Sequence, residues 1–221
     1  QFHQARPPEQ LFDIETDPHE VNNLANDPRH AGALKELRAR MQKRLREIND
    51  LSFYPESHMV KEALGNGVEY GKKHHAEVER LAAISDLALL AFEDARKPLA
   101  RAMGSDKQWD RYWACITASV FGKSAKPLVH DAKKLLSDEN LMVRARAAEF
   151  LGSIKALDPM PTLIGVLNES KSTQEILLTF NMVVYLRDYK GYAFDLSQVK
   201  LKTKGGESSR RTDYLSGKGK L

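Results

Sequence analysis

The stretch MVRARAAEFLGSIKALDPMPTLIGVL, residues 142–167, contains two short helical patterns separated by a turn. In its first half, small alanines alternate with large apolar residues, which predicts a helix that neighbouring helices can approach closely. Gly152 follows as a helix end, and Pro161 suits the first turn of a second helix, where a backbone N–H would be unpaired anyway. The stretch therefore predicts a pair of antiparallel helices.

Two other parts of the chain repeat this design. Pro98, Pro127 and Pro161 lie 29 and then 34 residues apart, and we expect each to begin a short helix. After each comes a polar turn and then a longer helix, near 107–122, 140–155 and 172–188. The apolar faces of the longer helices are Trp109, Trp113, Ile116 and Val120; Val143, Ala147, Phe150 and Ile154; and Ile176, Phe180 and Val183. Because one helix pair cannot bury its own stripe, the pairs are expected to stack.

The segment 142–167 resembles a HEAT repeat, and its neighbours resemble it more loosely. This resemblance implies an α–α solenoid over residues 76–197. The helix expected over 76–92 is apolar on nearly every side, which predicts that other helices pack around it.

The beginning of the chain follows a different pattern. Gln10–Ile14 alternates weakly between Pro7-Pro8 and a turn at Asp17-Pro18, which predicts a short strand. A helix is expected over 31–49, with Asp27-Pro28 as its start signal. Its apolar face comprises Leu34, Leu37, Met41, Leu45 and Ile48. Such a helix could bind a membrane surface or a partner, but we favour a helix that lies on a sheet with its charges in water. The predicted fold class is thus mainly α, with a short N-terminal strand and helix before the solenoid.

Residues 6–30 carry a second resemblance. Arg6-Pro7-Pro8-Glu9-Gln10-Leu11-Phe12-Asp13-Ile14, then Asp17-Pro18-His19-Glu20 and Asn23-Leu24-Ala25-Asn26-Asp27-Pro28, resemble the C-terminal signature of the sulfatases, in the alkaline phosphatase superfamily. The elements at Asp17 and Asp27 are most similar to the heparan N-sulfatase (sulfamidase) branch and its bacterial relatives. The resemblance covers residues 1–55 and implies that they end a sulfatase C-terminal α+β subdomain, whose catalytic domain is expected upstream.

The resemblance implies an enzyme that hydrolyses sulfate esters or N-sulfamates. Its substrates would be sulfated glycans, and it would be periplasmic or secreted. Sulfatases use a formylglycine made from the first residue of C-x-P-x-R or S-x-P-x-R, and a calcium site. Neither Cys115 nor any serine begins such a signature, so no catalytic or metal-binding residue is predicted in this chain. Formylglycine and calcium are implied for the parent enzyme. Cys115 lies mid-helix beside tryptophans and is interpreted as a buried structural thiol.

The remaining segments are assigned from composition. Residues 56–75 are expected to form a linker, and 198–221 a basic flexible tail, because seven Lys or Arg face two acids there. The other 197 residues carry 27 basic and 28 acidic groups, so the sequence does not favour nucleic acid as a partner. No apolar run approaches the length of a membrane helix, about 18 residues.

One group of exposed residues is proposed as a contact for an anionic glycan or a partner. Lys126, His130, Lys133 and Lys134 fall on the second short helix, where cations would attract a sulfated substrate. The alternative function, from another class, is a free-standing HEAT-repeat scaffold that binds a protein and has no catalysis. An ordinary solvated helix face explains the same four residues.

Overall fold

The computed structural model describes residues 7–203 and 205–218. Arg6, Lys204 and Lys220 of the sequence patterns lie outside this part. Eleven α-helices occur in the described residues, and no strand does. They are α1 (Ala31–Glu47), α2 (Glu56–His58), α3 (Gly67–Lys73), α4 (His75–Asp86), α5 (Phe92–Met103), α6 (Gln108–Val120), α7 (Val129–Lys134), α8 (Leu141–Ser153), α9 (Met160–Glu169), α10 (Thr173–Lys190) and α11 (Gly206–Leu215).

The longer helices pack side by side and form the core. Helix α6 contacts α4 on one side and α8 on the other, and α8 contacts α10. Helices α5, α7 and α9 pack against α6 and α8, and α9 also contacts α10. The predicted long helices are confirmed within a few residues, and so is the mainly α fold class.

Core side chains fill the spaces between these helices. Phe150, Phe180, Ile176 and Leu163 are fully buried. Val120, which the sequence pattern placed on an apolar face, is instead 50% exposed, because α6 buries Tyr112, Cys115 and Ala118 on a different face. The reason is that α6 lies between α4 and α8, so two of its sides are covered.

The proline positions agree only in part with the predicted helix starts. Pro159 precedes α9 and Pro161 lies in its first turn, as expected. Pro98, however, lies inside α5, which begins six residues earlier at Phe92 with Glu93 and Asp94 in its first turn. Acidic residues favour a helix start, and they provide the stronger signal here. Pro127 lies in a 3-10 segment, Gly122–Leu128, that leads into α7.

The end of α8 also differs from expectation, since Gly152 does not terminate it. The helix continues to Ser153, and Lys155 adopts the left-handed conformation with φ 59°. The N–H of Ala156 bonds to the carbonyl of Leu151, and that of Lys155 to the carbonyl of Gly152. This is the hydrogen-bond pattern of a Schellman motif, with lysine in the position that glycine usually takes.

Two segments expected to be irregular contain helices. Residues 56–75, the predicted linker, hold α2, a π-helical turn at Met59–Ala63 and α3. Residues 198–221, the predicted flexible tail, include α11, which packs on α10. Contacts with the core, such as the hydrogen bond from Arg211 Nε to Asn181 Oδ1 (2.7 Å), order a sequence with little helical pattern of its own.

The predicted strand at Gln10–Ile14 is wrong for the described structure. The segment is extended at Leu11, whose carbonyl accepts from Leu24 N–H (2.8 Å) and whose N–H donates to Asn23 Oδ1 (2.9 Å). One of the two bonds is made by a side chain, so no backbone ladder forms.

Candidate functional site

The sulfatase-like residues have structural roles in a loop before α1. The Asp17 carboxylate accepts from Val21 N–H (3.1 Å) and Asn22 N–H (2.7 Å). Asn23 Oδ1 accepts from the N–H groups of Leu11 and Ala25. Asp27 caps the 3-10 turn Pro28–His30, as the start signal predicted. The hydrogen bond from Arg29 lowers the pKa of Asp27 to about 2. These acids are therefore occupied in fixing the loop.

A paired charge ties this loop to α1, whose apolar face stays open. Arg38 donates two bonds of 2.6 Å to the Glu9 carboxylate. No residue between 7 and 52 is buried. Along α1, Leu37, Met41 and Ile48 are 49%, 61% and 47% exposed. A groove of about 480 Å³ separates this helix from residues 8–11 and the end of α4. The expected helix is confirmed, and its apolar side faces solvent over much of its length.

The four predicted contact residues all lie on the outer side of the short helices. Lys126, His130, Lys133 and Lys134 are exposed, and Lys134 pairs with Asp131 at 3.1 Å. Within the described residues, Lys126 and Lys133 have no acidic partner. All four side chains therefore lie at the surface, and their role as a contact stays a prediction.

Helix α5 extends this charged surface, which the sequence patterns did not show. It contacts both α7 and the preceding 3-10 segment. We call the combined surface the basic face; it comprises Arg96, Lys97, Arg101, Lys123, Lys126, His130, Lys133 and Lys134. Residues 92–103 and 122–134 together hold seven Lys or Arg and three acids. The face can attract anions by charge alone.

A second concave site lies where α6, α8 and α10 meet the start of α2. Its cavity of about 200 Å³ is lined by Ser57, Tyr112, Arg146, Gln174 and Asn181, among others. Arg146 donates to Glu149 Oε2 (2.7 Å) and to the Tyr112 hydroxyl (3.0 Å). Its Nε is buried without a partner in the described structure. The two bonds hold the Arg146 guanidinium in a fixed position at the cavity wall.

An aromatic cluster next to this cavity is closed. His58 Nε2 lies 2.7 Å from the Tyr70 hydroxyl, and Tyr54 donates to Glu77 Oε2 at 2.7 Å. Burial lowers the pKa of His58, while burial and then the Glu77 hydrogen bond raise the pKa of Tyr54. Trp109 packs against His58 with ring centroids 4.9 Å apart. These groups satisfy one another and hold residues 51–75 on the core.

The thiol of Cys115 is enclosed in the core. Cys115 is fully buried, and burial raises the pKa of its thiol to about 12, so the thiolate is not available near neutral pH. In residues 7–203 and 205–218, no group of three His, Cys, Asp or Glu side chains could hold a metal ion. No helix in the same residues is long and apolar enough to cross a membrane.

Comparison with known proteins gives one partial similarity. A region of 66 residues, 30% of this chain, is 41% identical to an ulvan-active sulfatase from Formosa agariphila. The chain spans about 11% of the length of that relative. No family model matches the chain, and no solved structure matches it. The similarity suggests that part of the chain is related to a sulfatase.

Proposed function

We propose that this chain is the C-terminal region of a sulfatase that hydrolyses sulfate esters or N-sulfamates of sulfated glycans. The observation that carries the proposal is the 41% identity over 66 residues to an ulvan-active sulfatase. The loop built by Asp17, Asn23 and Asp27, residues of the sulfatase-like signature, supports it. The catalytic formylglycine and calcium would belong to an upstream domain, and the enzyme would act in the periplasm or outside the cell.

The open face of α1 is the surface that would meet this catalytic domain. Leu37, Met41 and Ile48 present an exposed apolar stripe, and water contact with such a stripe is unfavourable by about 25 cal/mol per Å². A sheet of the catalytic domain would cover it. The helical part, residues 76–197, would then extend from that domain as HEAT-like repeats.

Sulfate release by the whole encoded protein tests the proposal. The protein containing this chain should release inorganic sulfate from ulvan or from N-sulfated glycans. Met41→Asp should lower its melting temperature by several degrees, because it places a charge in the covered stripe. The matched control is Leu64→Asp, at a residue 77% exposed and away from α1. Absence of sulfate release from every sulfated glycan tested would overturn the assignment.

The basic face would hold sulfated substrate near the enzyme. Lys126 and Lys133, which have no acidic partner in the described residues, would contact sulfate groups together with His130, Lys134 and the α5 cations. Lys126→Glu with Lys133→Glu should weaken binding of sulfated glycan and reduce its salt dependence. Lys72→Glu with Lys73→Glu is the matched control, because these exposed lysines of α3 lack acidic partners in the described residues. Equal losses in both variants would argue against a specific surface.

A free-standing HEAT-repeat scaffold is the second candidate function. The side-by-side arrangement of α6, α8 and α10, with α5, α7 and α9 packed on them, favours it. Such a scaffold would show no sulfatase activity in any form of the protein, which distinguishes the two candidates.

A further inference from the structure

Helix α10 carries one line of side chains that is half-buried at its N-terminal end and exposed from Asn181 onwards, which we call the α10 stripe. It consists of Gln174, Leu178, Asn181, Tyr185 and Tyr189. Their spacing of three or four residues places them on one face of the helix. At 1.5 Å per residue the stripe is about 22 Å long. This length suits several consecutive units of a linear polymer.

The N-terminal half of the stripe borders the cavity described above. Gln174 and Asn181 supply amide N–H donors there, since their amide oxygens already accept from Ser172, Thr173 and Arg211, and Ser57 adds a hydroxyl. Arg146 is held in place by Glu149 and Tyr112, and its side chain is only 18% exposed. The guanidinium has five N–H donors, and Glu149 and Tyr112 accept from two of them. A small, polar cavity of about 200 Å³ fits a single hydroxyl-rich ring.

The C-terminal half of the stripe is an aromatic platform. The rings of Tyr185 and Tyr189 lie nearly parallel, with centroids 6.1 Å apart and an interplanar angle of 28°. The two residues are 37% and 51% exposed, although large aromatic side chains are usually buried. Lys190 Nζ lies 5.6 Å from the centre of the Tyr185 ring. Flat tyrosine surfaces can stack on the C–H faces of sugar rings while their hydroxyls bond at the rim.

The charges around the cavity determine whether a ligand is bound by net charge or by hydrogen bonds and stacking. Arg146 is neutralised by Glu149, and Glu56 also lines the cavity. The stripe therefore offers directed hydrogen bonds and stacking and little net positive charge. This differs from the basic face, where unpaired cations predominate.

We propose that the α10 stripe binds a linear polysaccharide chain, with one pyranose unit in the Arg146 cavity and the following units stacked on Tyr185 and Tyr189. Recognition uses the sugar backbone and not its sulfate groups. The choice of a glycan over a protein partner rests on the proposed function and on the ring-sized polar cavity in line with stacked tyrosines. The stripe would keep the polymer attached after its sulfate has been removed.

Binding of the 221-residue chain to ulvan and to chemically desulfated ulvan, measured by isothermal titration calorimetry at low and high salt, tests this inference. The wild-type chain should bind both polymers, and high salt should leave binding to the desulfated form nearly unchanged. Tyr185→Ala with Tyr189→Ala should weaken binding of both forms about tenfold. Gln174→Ala, which keeps the bond between Arg211 and Asn181, should weaken it several-fold. Leu64→Ala with Val68→Ala, at residues 77% and 71% exposed, is the control and should bind as wild type.

Three results would overturn the inference. One is wild-type affinity for both polymers in the double tyrosine variant, which would mean that the two tyrosines contact a protein and not a glycan. Another is failure of the wild-type chain to bind desulfated ulvan at high salt. The third is an equal loss in the Leu64 and Val68 control. None of these affects sulfate release by the whole protein, so the proposed function stands or fails separately.

Discussion

Adding one methyl group at Gly152 tests how tightly the helices of the central pair approach each other. A Cβ built on this residue would lie 2.6 Å from Pro159 Cγ, 3.0 Å from Pro159 Cβ and 3.1 Å from Leu186 Cδ2. The proline ring is rigid and sits at the start of α9, so it cannot rotate away. Alanine can fit only if α8 and α9 move apart.

Gly165 provides the matched control on the neighbouring helix. It lies inside α9, and a Cβ there would meet nothing within 4 Å. Replacing an unconstrained helical glycine by alanine stabilises a protein by up to about 1 kcal/mol, because the unfolded chain loses freedom and the helix gains propensity. Gly165→Ala should therefore be more stable than the wild type by that amount.

The same propensity gain applies at Gly152, but overpacking works against it. Inserting atoms into a well-packed core costs about 1–3 kcal/mol. The Pro159 contact is far below van der Waals distance, so we expect the upper part of that range and a net loss of about 1–2 kcal/mol. The two substitutions, identical in chemistry, should thus have opposite signs.

Urea unfolding followed by far-UV circular dichroism measures both differences. The midpoint should fall for Gly152→Ala and rise for Gly165→Ala, with unchanged slopes. Equal stabilisation by both alanines would refute the close approach of α8 to Pro159. A changed slope in either variant would mean that the unfolding reaction itself had altered.

Three further predictions concern buried polar groups. Asp138 pairs with Arg111 at 2.6 Å, and both side chains are almost buried. Asp138→Ala should therefore lower the free energy of unfolding by about 3 kcal/mol, whereas Glu36→Ala, at an exposed pair, should lower it by less than about 0.5 kcal/mol. Cys115 should resist thiol reagents at mildly alkaline pH until urea unfolds the chain, and equally fast labelling of the folded chain would contradict its burial. Because burial lowers the pKa of His58 below its ordinary value of 6.5, the unfolded chain takes up this proton first. The contribution of His58 to the unfolding free energy should be constant above that pH and fall as the pH drops towards the folded pKa, so His58→Gln should make the pH dependence less steep over this range.

The sequence predicted the long helices well because their burial is periodic. Ile176, Phe180 and Val183 recur at helical spacing, and all three are buried in α10. Helix α11 could not be found in this way, since it has little apolar pattern. It is held by specific bonds to α10, such as that from the Tyr214 hydroxyl to Asp188 Oδ2 (2.8 Å). Tertiary contacts of this kind leave no periodic signal in the sequence.

A candidate site could be predicted from the sequence only where its residues lie close together on one helix. Lys126, His130, Lys133 and Lys134 are close in the chain, so their shared surface could be anticipated. Arg96 and Lys97 were missed because α5 was expected to begin at Pro98, and Arg101 was missed because only packing brings α5 beside α7. The Arg146 cavity joins residues from 57 to 181, and only packing brings these together.

The N-terminal loop shows why a correct local pattern produced a wrong strand. Leu11 uses its N–H and carbonyl on Asn23 and Leu24, on one side of the extended segment. In the described structure, the backbone groups of Gln10 and Phe12 have no hydrogen-bond partner. A strand requires a second backbone along that edge. The apolar stripe of α1 is open in the same way. This chain thus leaves one backbone edge unpaired and one apolar stripe uncovered. A single added sheet, such as the proposed sulfatase domain would supply, could pair the edge and cover the stripe.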